Sequence, residues 1–163
     1  MADGGVPVTV TATTRAAREQ AFHAIAPVPL ERIFARYGPL PAVRGVREQT
    51  GAWDHVGACR VVELADGGEV RERLTAHDPP EHFAYELEPL RGPLRGLVRG
   101  AEGAWWFTAA PDGGAATAIR WTYTFHPRRG ARLPIRFVLA PLWRTYASRA
   151  LAKAVAIAEG ESA

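Results

Sequence analysis

The segment ARLPIRFVLAPLWRTYASRALAKAVAIAE, residues Ala131 to Glu159, decides the fold that this sequence predicts. Its apolar residues recur at steps of three and four, which is the period of a helix with one buried face. These positions are Leu139, Leu142, Trp143, Tyr146, Ala150, Leu151, Ala154 and Ile157. Burying five large apolar side chains contributes on the order of 10 kcal/mol before entropy is subtracted. We therefore predict a long C-terminal helix against which the other apolar segments pack.

Pro141 interrupts this helical pattern. Proline lacks an N–H group and crowds the carbonyl four residues earlier, so the helix either begins at Pro141 or is kinked there. We favour a kinked helix.

The remainder of the chain is dominated by strand patterns. Val8, Val10 and Ala12 alternate with threonines and predict a first strand. Two short helices are expected next, at Arg18 to Ile25 and Leu30 to Tyr37. Six further strands are predicted at Ala42 to Gln49, Ala58 to Leu64, Glu69 to His77, His82 to Glu88, Ala104 to Ala110 and Thr117 to His126. The predicted order is β, α, α, six β and α, which is an α+β fold.

Turn residues between these strands suggest which side chains face inward. Asp66-Gly67-Gly68 suits a three-residue hairpin loop with Gly68 left-handed, which would pair Leu64 with Val70 and Val62 with Glu72. The inner face would then carry Arg60, Val62, Leu64, Val70, Glu72 and Leu74. The Asp78 to Glu81 turn would pair His77 with His82, Leu74 with Tyr85 and Glu72 with Leu87. His77 would point outward.

Composition narrows the class of protein. The length fits one domain over residues 1–163, and Cys59, the only cysteine, cannot form an internal disulfide. No metal or cofactor is expected, because CxxC and HExxH motifs are absent and the five histidines are scattered. With no long apolar run and no signal-peptide pattern, we expect a cytoplasmic protein. The net charge of +3 is spread along the chain, which argues against nucleic-acid binding. A monomer and a homodimer both remain open.

The motifs and the order of elements resemble one known superfamily. The carriers of this resemblance are Gly57-x-x-Arg60, Asp66-Gly67, Glu72 followed by Asp78-Pro79-Pro80, Tyr85, the strand Thr117 to Phe125 and the final helix. Together they resemble the SRPBCC or START-like superfamily, in particular its polyketide cyclase/dehydrase and lipid-transport branch. The resemblance implies a helix-grip fold, in which a curved antiparallel sheet wraps around the C-terminal helix and encloses a cavity. Members include aromatase/cyclases, lipid carriers, plant pathogenesis-related proteins and co-chaperones, so the fold alone does not choose a function.

Glu72 is the sharpest candidate site residue, because strand alternation places its carboxylate on the cavity face. A structural ion pair with Arg60, diagonally across the hairpin, is the first interpretation. A contact to a ligand is the second. The third is general acid/base catalysis, with Arg60 and Tyr85 moving protons or stabilising an enolate.

Aromatic residues are expected to converge between the sheet and the helix. They are Tyr85, Trp105, Phe107, Trp121, Tyr123, Trp143 and Tyr146. They fit either an ordinary core or the lining of a pocket for an apolar ligand, since tyrosine and tryptophan also carry polar atoms. Tyr146 is the residue that we most expect to meet a ligand from the helix side. The Asp54-His55 loop is expected to be a solvated turn, with the cavity mouth as an alternative.

The segment Leu90 to Ala101, LRGPLRGLVRGA, repeats glycine and arginine. We predict a mobile flap or a short irregular strand, and leave open a weak contact with a membrane surface through its leucines and arginines. The basic and apolar start of the last helix, including Arg132, Leu133 and Phe137, could assist such a contact.

Three classes of function follow from these features. The first is the binding of a small hydrophobic molecule, similar to a polyketide, lipid or aromatic compound, in an internal cavity. The second is a polyketide cyclase, aromatase or dehydratase using Glu72, Arg60 and Tyr85. The third is a module that contacts a membrane surface or another protein. Whether the chain is an enzyme is left open.

Overall fold

The computed structural model describes residues 4–111 and 114–160, and seven antiparallel strands within them form one sheet. The strands are β1 (Val6–Thr14), β2 (Val43–Arg47), β3 (Cys59–Leu64), β4 (Glu69–Asp78), β5 (His82–Arg91), β6 (Val98–Ala109) and β7 (Thr117–Pro127). Their order across the sheet is β1-β7-β6-β5-β4-β3-β2. The helices are α1 (Arg18–Ile25), α2 (Leu94–Leu97), α3 (Arg132–Pro134) and α4 (Ala140–Ala158). The predicted α+β helix-grip architecture is confirmed.

The C-terminal segment is helical on both sides of Pro141. Between α3 and α4, residues Ile135–Leu139 form a π-helix, and the Ala140 N–H group donates to the Ile135 carbonyl five residues earlier. This wider turn immediately precedes the proline, whose missing N–H group perturbs regular α-helical bonding. The alternative in which the helix begins at Pro141 is therefore wrong.

The buried face of α4 follows the predicted apolar pattern. Its buried residues are Ala140, Trp143, Tyr146, Ala147, Ala150, Leu151, Ala154 and Ala158. Leu142 and Ile157 are only partly buried and lie at the margin of this face. No helix within the described residues is long and apolar enough to cross a membrane.

The second predicted helix, Leu30 to Tyr37, is reduced to a single 3₁₀ turn at Leu30–Arg32. Tyr37 and Leu40 exchange two backbone hydrogen bonds around a turn in which Gly38 has a φ of 54°. That turn draws the chain out of a helix before Tyr37 is reached. Ile33 and Phe34 are nevertheless buried, so the apolar pattern was correct and the helix length was wrong.

The β3–β4 hairpin has a register two residues away from the predicted one. Val62 pairs with Val70, and Arg60 lies directly opposite Glu72. The loop is Ala65-Asp66-Gly67, since the Leu64 N–H group donates to the Gly68 carbonyl at 2.9 Å. Gly67, with a φ of 89°, takes the left-handed position that was predicted for Gly68. A shift of two residues keeps each side chain on the same face of the strand, so the predicted inner face survives.

The β4–β5 hairpin agrees with the predicted register only up to Leu74. Leu74 pairs with Tyr85 and Glu72 with Leu87, but a register irregularity follows between Leu74 and Ala76. His77 then pairs with Phe83 instead of His82, and its ring packs edge-on against Phe22 of α1 with a centroid distance of 5.4 Å. The outward orientation predicted for His77 is therefore wrong, because an added residue reverses the alternation of side chains.

The Leu90 to Ala101 segment has regular secondary structure over most of its length, so the predicted irregular strand is wrong there. Strand β5 continues to Arg91, α2 forms one short turn and β6 begins at Val98. The Arg128 N–H group donates to the Leu97 carbonyl at 2.8 Å, which ties α2 to the end of β7. The greater mobility of this segment stays a prediction.

The C-terminal end of α4 is attached to the end of β1 through Glu159. Its carboxylate accepts hydrogen bonds from the Thr14 hydroxyl at 2.8 Å and the Arg15 backbone N–H group at 2.7 Å. The bonds from Arg15 and Thr14 lower the pKa of Glu159 below its usual value. This contact fixes the far end of the helix against the edge of the sheet.

Leu151→Ala tests the predicted packing of the helix. Leu151 is 1% exposed, so its truncation should leave a cavity and lower the free energy of unfolding by about 2 to 5 kcal/mol. Leu142→Ala, at the margin of the buried face, should cost less. Urea unfolding of both variants measures the difference, and a loss under about 0.5 kcal/mol for Leu151→Ala would place that side chain outside the core.

Candidate functional site

A cavity of about 110 Å³ lies between the inner face of the sheet, the 25–43 segment and α4. Six of the seven predicted aromatic residues line it, namely Tyr85, Trp105, Trp121, Tyr123, Trp143 and Tyr146. Phe107 does not line it. That residue is fully buried and packs against Phe22 and Phe83 at centroid distances of 5.4 and 6.1 Å, so it is a core residue.

The Tyr85 hydroxyl joins two tryptophan side chains of the cavity wall through hydrogen bonds. It accepts hydrogen bonds from the indole N–H groups of Trp105 at 3.3 Å and Trp121 at 3.1 Å. The two indoles stack with their centroids 4.5 Å apart. A phenolic oxygen has two acceptor positions, so these bonds leave only the Tyr85 proton for a further partner.

Burial, followed by the charge of Glu72, raises the pKa of Tyr85 well above its usual value. The phenol therefore stays neutral at physiological pH and is a hydrogen-bond donor rather than a base. The acid/base role considered for Tyr85 is accordingly limited to donating its proton or a hydrogen bond.

Gly103 makes room for the Tyr85 ring. Gly103 on β6 lies between Tyr85 on β5 and Tyr123 on β7 in the sheet. A Cβ atom at Gly103 would lie only 2.3 Å from Tyr85 Cζ and 2.5 Å from its hydroxyl oxygen. Sequence analysis missed this residue. A glycine inside a strand pattern is the signal that could have identified it, because such a glycine often marks the close approach of another group.

Arg60 and Glu72 form the buried ion pair that was expected from the sequence. Arg60 Nε and Nη2 donate to Glu72 Oε1 at 2.9 and 2.6 Å, and both side chains are less than 10% exposed. The two residues face each other directly instead of diagonally. The Arg60 guanidinium also lies 3.9 Å from the centre of the Trp53 ring, a cation–π contact that the sequence did not indicate.

The loop that carries Trp53 also contains Asp54 and His55. Their side chains are exposed and pair with each other at 3.0 Å. This agrees with the predicted solvated turn, and Trp53 is the residue of this loop that lines the cavity.

Five polar side-chain atoms of cavity-lining residues have no hydrogen-bond partner within the described part of the chain. They are the Tyr123 hydroxyl, Glu72 Oε2, Arg60 Nη1, Trp53 Nε1 and the buried Trp143 Nε1. Tyr146, by contrast, donates its hydroxyl proton to the Pro41 carbonyl at 2.5 Å, so its ring lines the cavity while its polar atom is already engaged. The residue that was expected to meet a ligand from the helix side therefore offers an apolar surface.

The pKa of Tyr123 is also raised well above its usual value, first by burial and then by the nearby Tyr85, Glu72 and Tyr146. Tyr123 is consequently a second neutral phenol in the same cavity. Among the described residues, no group of three or more histidine, cysteine, aspartate or glutamate side chains could hold a metal ion.

Gly103→Ala tests the arrangement around Tyr85. The new methyl group should displace the Tyr85 ring, break its bonds to the two indoles and lower the free energy of unfolding by about 1 to 3 kcal/mol. The tryptophan fluorescence spectrum should shift with it. Gly96→Ala is the control, because a Cβ atom there meets no atom within 4 Å. Equal stability of the two variants would contradict the close approach at Gly103.

Solved structures with a similar fold span nearly the whole chain. XoxI from Bacillus cereus is 16% identical with a TM-score of 0.64, and the match covers 97% of this chain and 99% of that one. Ara h 8.0201 is 17% identical with a TM-score of 0.66, covering 96% and 97%. The major latex-like protein 151 from Panax ginseng is 12% identical with a TM-score of 0.65, covering 93% and 96%. At these identities the likeness shows the fold alone.

Comparison of the sequence itself gave one family. No curated protein sequence matched the chain. The model of the family described as polyketide cyclase/dehydrase and lipid transport matches residues 6–159, and this family and the fold support the binding of hydrophobic ligands. The chain therefore belongs to the polyketide cyclase/dehydrase and lipid-transport family of the SRPBCC superfamily.

Proposed function

We propose that this protein is a single-domain cytoplasmic carrier that binds a small apolar molecule with an acceptor oxygen. The observation that carries the proposal is the aromatic cavity, whose wall combines ring surfaces with a few polar atoms that lack partners. Small-molecule sites have this composition, because the apolar surface supplies affinity and a few polar groups fix the orientation of the ligand.

The polar atoms of the cavity favour a ligand that accepts hydrogen bonds. The proton of Tyr85, the hydroxyl of Tyr123 and the indole N–H group of Trp143 are all donors. The acceptors are Glu72 Oε2, which belongs to a carboxylate already paired with Arg60, and the oxygen of the Tyr123 hydroxyl itself. A ketone, quinone or phenol oxygen on a flat apolar body suits such a set.

The volume of the cavity limits the size of this ligand. About 110 Å³ is below the range of about 300 to 1,000 Å³ that is usual for drug-sized ligands. The cavity in this conformation therefore suits a ligand of about one ring. A larger molecule needs side chains of the wall to move.

A catalytic function is the second candidate, and one observation favours it. The Glu72 carboxylate keeps one oxygen without a partner in the same cavity as two neutral phenols. A carboxylate and a phenol can together remove a proton beside a ketone and stabilise the resulting enolate. The tight pairing of Glu72 with Arg60 argues against this role, because two hydrogen bonds from Arg60 already engage Glu72 Oε1, as in a structural ion pair.

Binding of acetophenone and ethylbenzene tests the proposed carrier function. The two molecules have nearly the same shape, but only acetophenone has an acceptor oxygen. Titration calorimetry should show acetophenone binding about three- to tenfold more tightly, which corresponds to one net hydrogen bond. Tyr123→Phe should reduce this preference, and Tyr37→Phe, which removes a hydroxyl outside the cavity, should not.

Equal affinities for the two compounds would contradict the proposed recognition of an acceptor oxygen. Failure of the protein to bind either compound, together with native mass spectra that show no co-purified small molecule, would overturn the carrier function itself.

Glu72→Gln separates the carrier from the enzyme. We expect the free energy of unfolding to fall by about 1 to 3 kcal/mol, because Arg60 stays buried without its charged partner, while acetophenone affinity changes little. Glu88→Gln, which breaks an exposed pair with Arg71, should change stability by less than about 0.5 kcal/mol. A loss of poly-β-ketone turnover of about 100-fold with unchanged binding would establish the catalytic role instead.

A further inference from the structure

Three large apolar side chains at the start of the C-terminal helix are exposed to solvent. Leu133, Phe137 and Val138 are 63%, 65% and 59% exposed. Within the described residues only Val56, in a distant loop of the sequence, is comparably exposed. Three such side chains within six residues form an apolar patch. Contiguous exposed patches of this kind mark sites of interaction with a partner or a membrane.

Arginines border this patch on one side. Arg132, Arg136 and Arg144 line a cleft of about 510 Å³ against Gly5, Val6 and Pro7. The Arg136 guanidinium lies 5.4 Å from the centre of the exposed Phe137 ring. The sequence has no acidic residue from 127 to 158 or from 89 to 101, so the charge around the patch is almost entirely positive.

An apolar groove of about 340 Å³ borders the patch on its other side. Val138, Leu139 and Leu142 of the C-terminal segment line it together with Leu94 and Leu97 of α2. Asp66 is the acidic residue in its wall, and it lies there with Arg91. The groove and the inner cavity share five lining residues, namely Leu40, Pro41, Leu64, Val70 and Leu94. This end of the molecule is therefore where the inner cavity approaches the surface.

We propose that Leu133, Phe137 and Val138, together with the bordering arginines, form a docking face for a lipid bilayer that contains anionic lipids. Exposed aliphatic and aromatic side chains enter the boundary between headgroups and acyl chains, and arginines bind the phosphates beside them. A docked molecule presents its groove, and through the shared wall its inner cavity, to the bilayer. The docking face does not depend on which ligand the cavity holds.

Two other occupants suit this face less well. A second copy of the chain, bound about a two-fold axis, would bring the arginines of both copies together and oppose like charges. A nucleic acid would use the arginines but would leave Leu133 and Val138 against phosphates and water. A lipid surface matches both the apolar and the charged parts.

Co-sedimentation of the 163-residue chain with vesicles tests the proposal. Vesicles of phosphatidylcholine alone should bind at least about tenfold less protein than vesicles with about one-third phosphatidylglycerol. Salt at about 0.5 M should weaken binding to the phosphatidylglycerol vesicles, because it screens the charge of the arginines. Leu133→Ser with Phe137→Ser should reduce binding about tenfold or more, and Arg136→Gln should reduce the preference for anionic vesicles.

Val56→Ser and Arg73→Gln are the matched controls, since each changes an exposed side chain of the same type elsewhere, and both should bind vesicles as the unaltered protein does. Urea unfolding checks that every variant is folded.

Equal binding to neutral and anionic vesicles, or equal losses in the control variants, would overturn the proposal. A dimer in sedimentation velocity that Phe137→Ser dissociates would assign the face to a second copy. The vesicle measurement needs no cavity ligand, so its failure and that of the carrier function are distinguishable.

Discussion

The hydrogen bonds from Trp105 and Trp121 to the Tyr85 hydroxyl are the interaction on which the inner face of the sheet depends. Three neighbouring strands contribute these side chains, and each brings a polar atom into the buried interior. A buried donor without an acceptor costs about 1 to 3 kcal/mol, so the two indoles and the phenol have to meet. Gly103 permits this arrangement, because any other residue at that position would collide with the Tyr85 ring. One glycine and one hydroxyl therefore fix the relative positions of the large rings around the cavity.

The Arg60–Glu72 pair illustrates a different balance of forces. Removing two charges from water is costly, and an apolar pair of similar volume is often as stable or more stable. Stability alone therefore does not explain an ion pair at this position. Here the guanidinium is also covered by Trp53, while one carboxylate oxygen remains without a partner among the described residues. The pair therefore gives an otherwise apolar cavity wall a fixed dipole in a region of low dielectric constant.

The sequence was sufficient to predict the architecture because side-chain alternation tolerates some errors of register. The observed register of the β3–β4 hairpin differs from the predicted one by two residues, which leaves Arg60 and Glu72 on the predicted face. The two residues therefore still pair with each other. The irregularity after Leu74 could not be foreseen, because no glycine or proline marks it, and it turned His77 towards α1. Phe107 was assigned to the cavity for a related reason. Alternation identifies the inner face of a strand, but it does not show where along that face packing ends and empty space begins.

No local sequence pattern predicts that Trp53 covers Arg60 and lines the cavity. It comes from an irregular loop, and its position over Arg60 depends on how that loop closes against β3 and β4. Neither periodicity nor turn chemistry encodes such a contact. In the Leu30 to Tyr37 segment a local pattern was present but did not decide the structure. Its apolar residues have helical spacing, yet the hydrogen bonds around Gly38 prevent a full helix. Tertiary contacts decided both cases.

The small volume of the cavity follows from the same aromatic packing, and it determines where the cavity can enlarge. Tyr123, Trp143 and Tyr146 contact one another with centroid distances of 4.4 and 5.1 Å, so moving one ring disturbs its neighbours. The wall towards the outer groove is built differently. Leu40, Pro41 and Leu94 belong to turns or to a one-turn helix, and none of the three is an aromatic side chain held by stacking. Displacing Leu40 or Leu94 breaks no side-chain hydrogen bond, whereas displacing Pro41 breaks the bond that its carbonyl accepts from the Tyr146 hydroxyl. We therefore expect a ligand larger than the present cavity to enlarge it towards the groove, which is the side that carries the exposed apolar patch and the arginines.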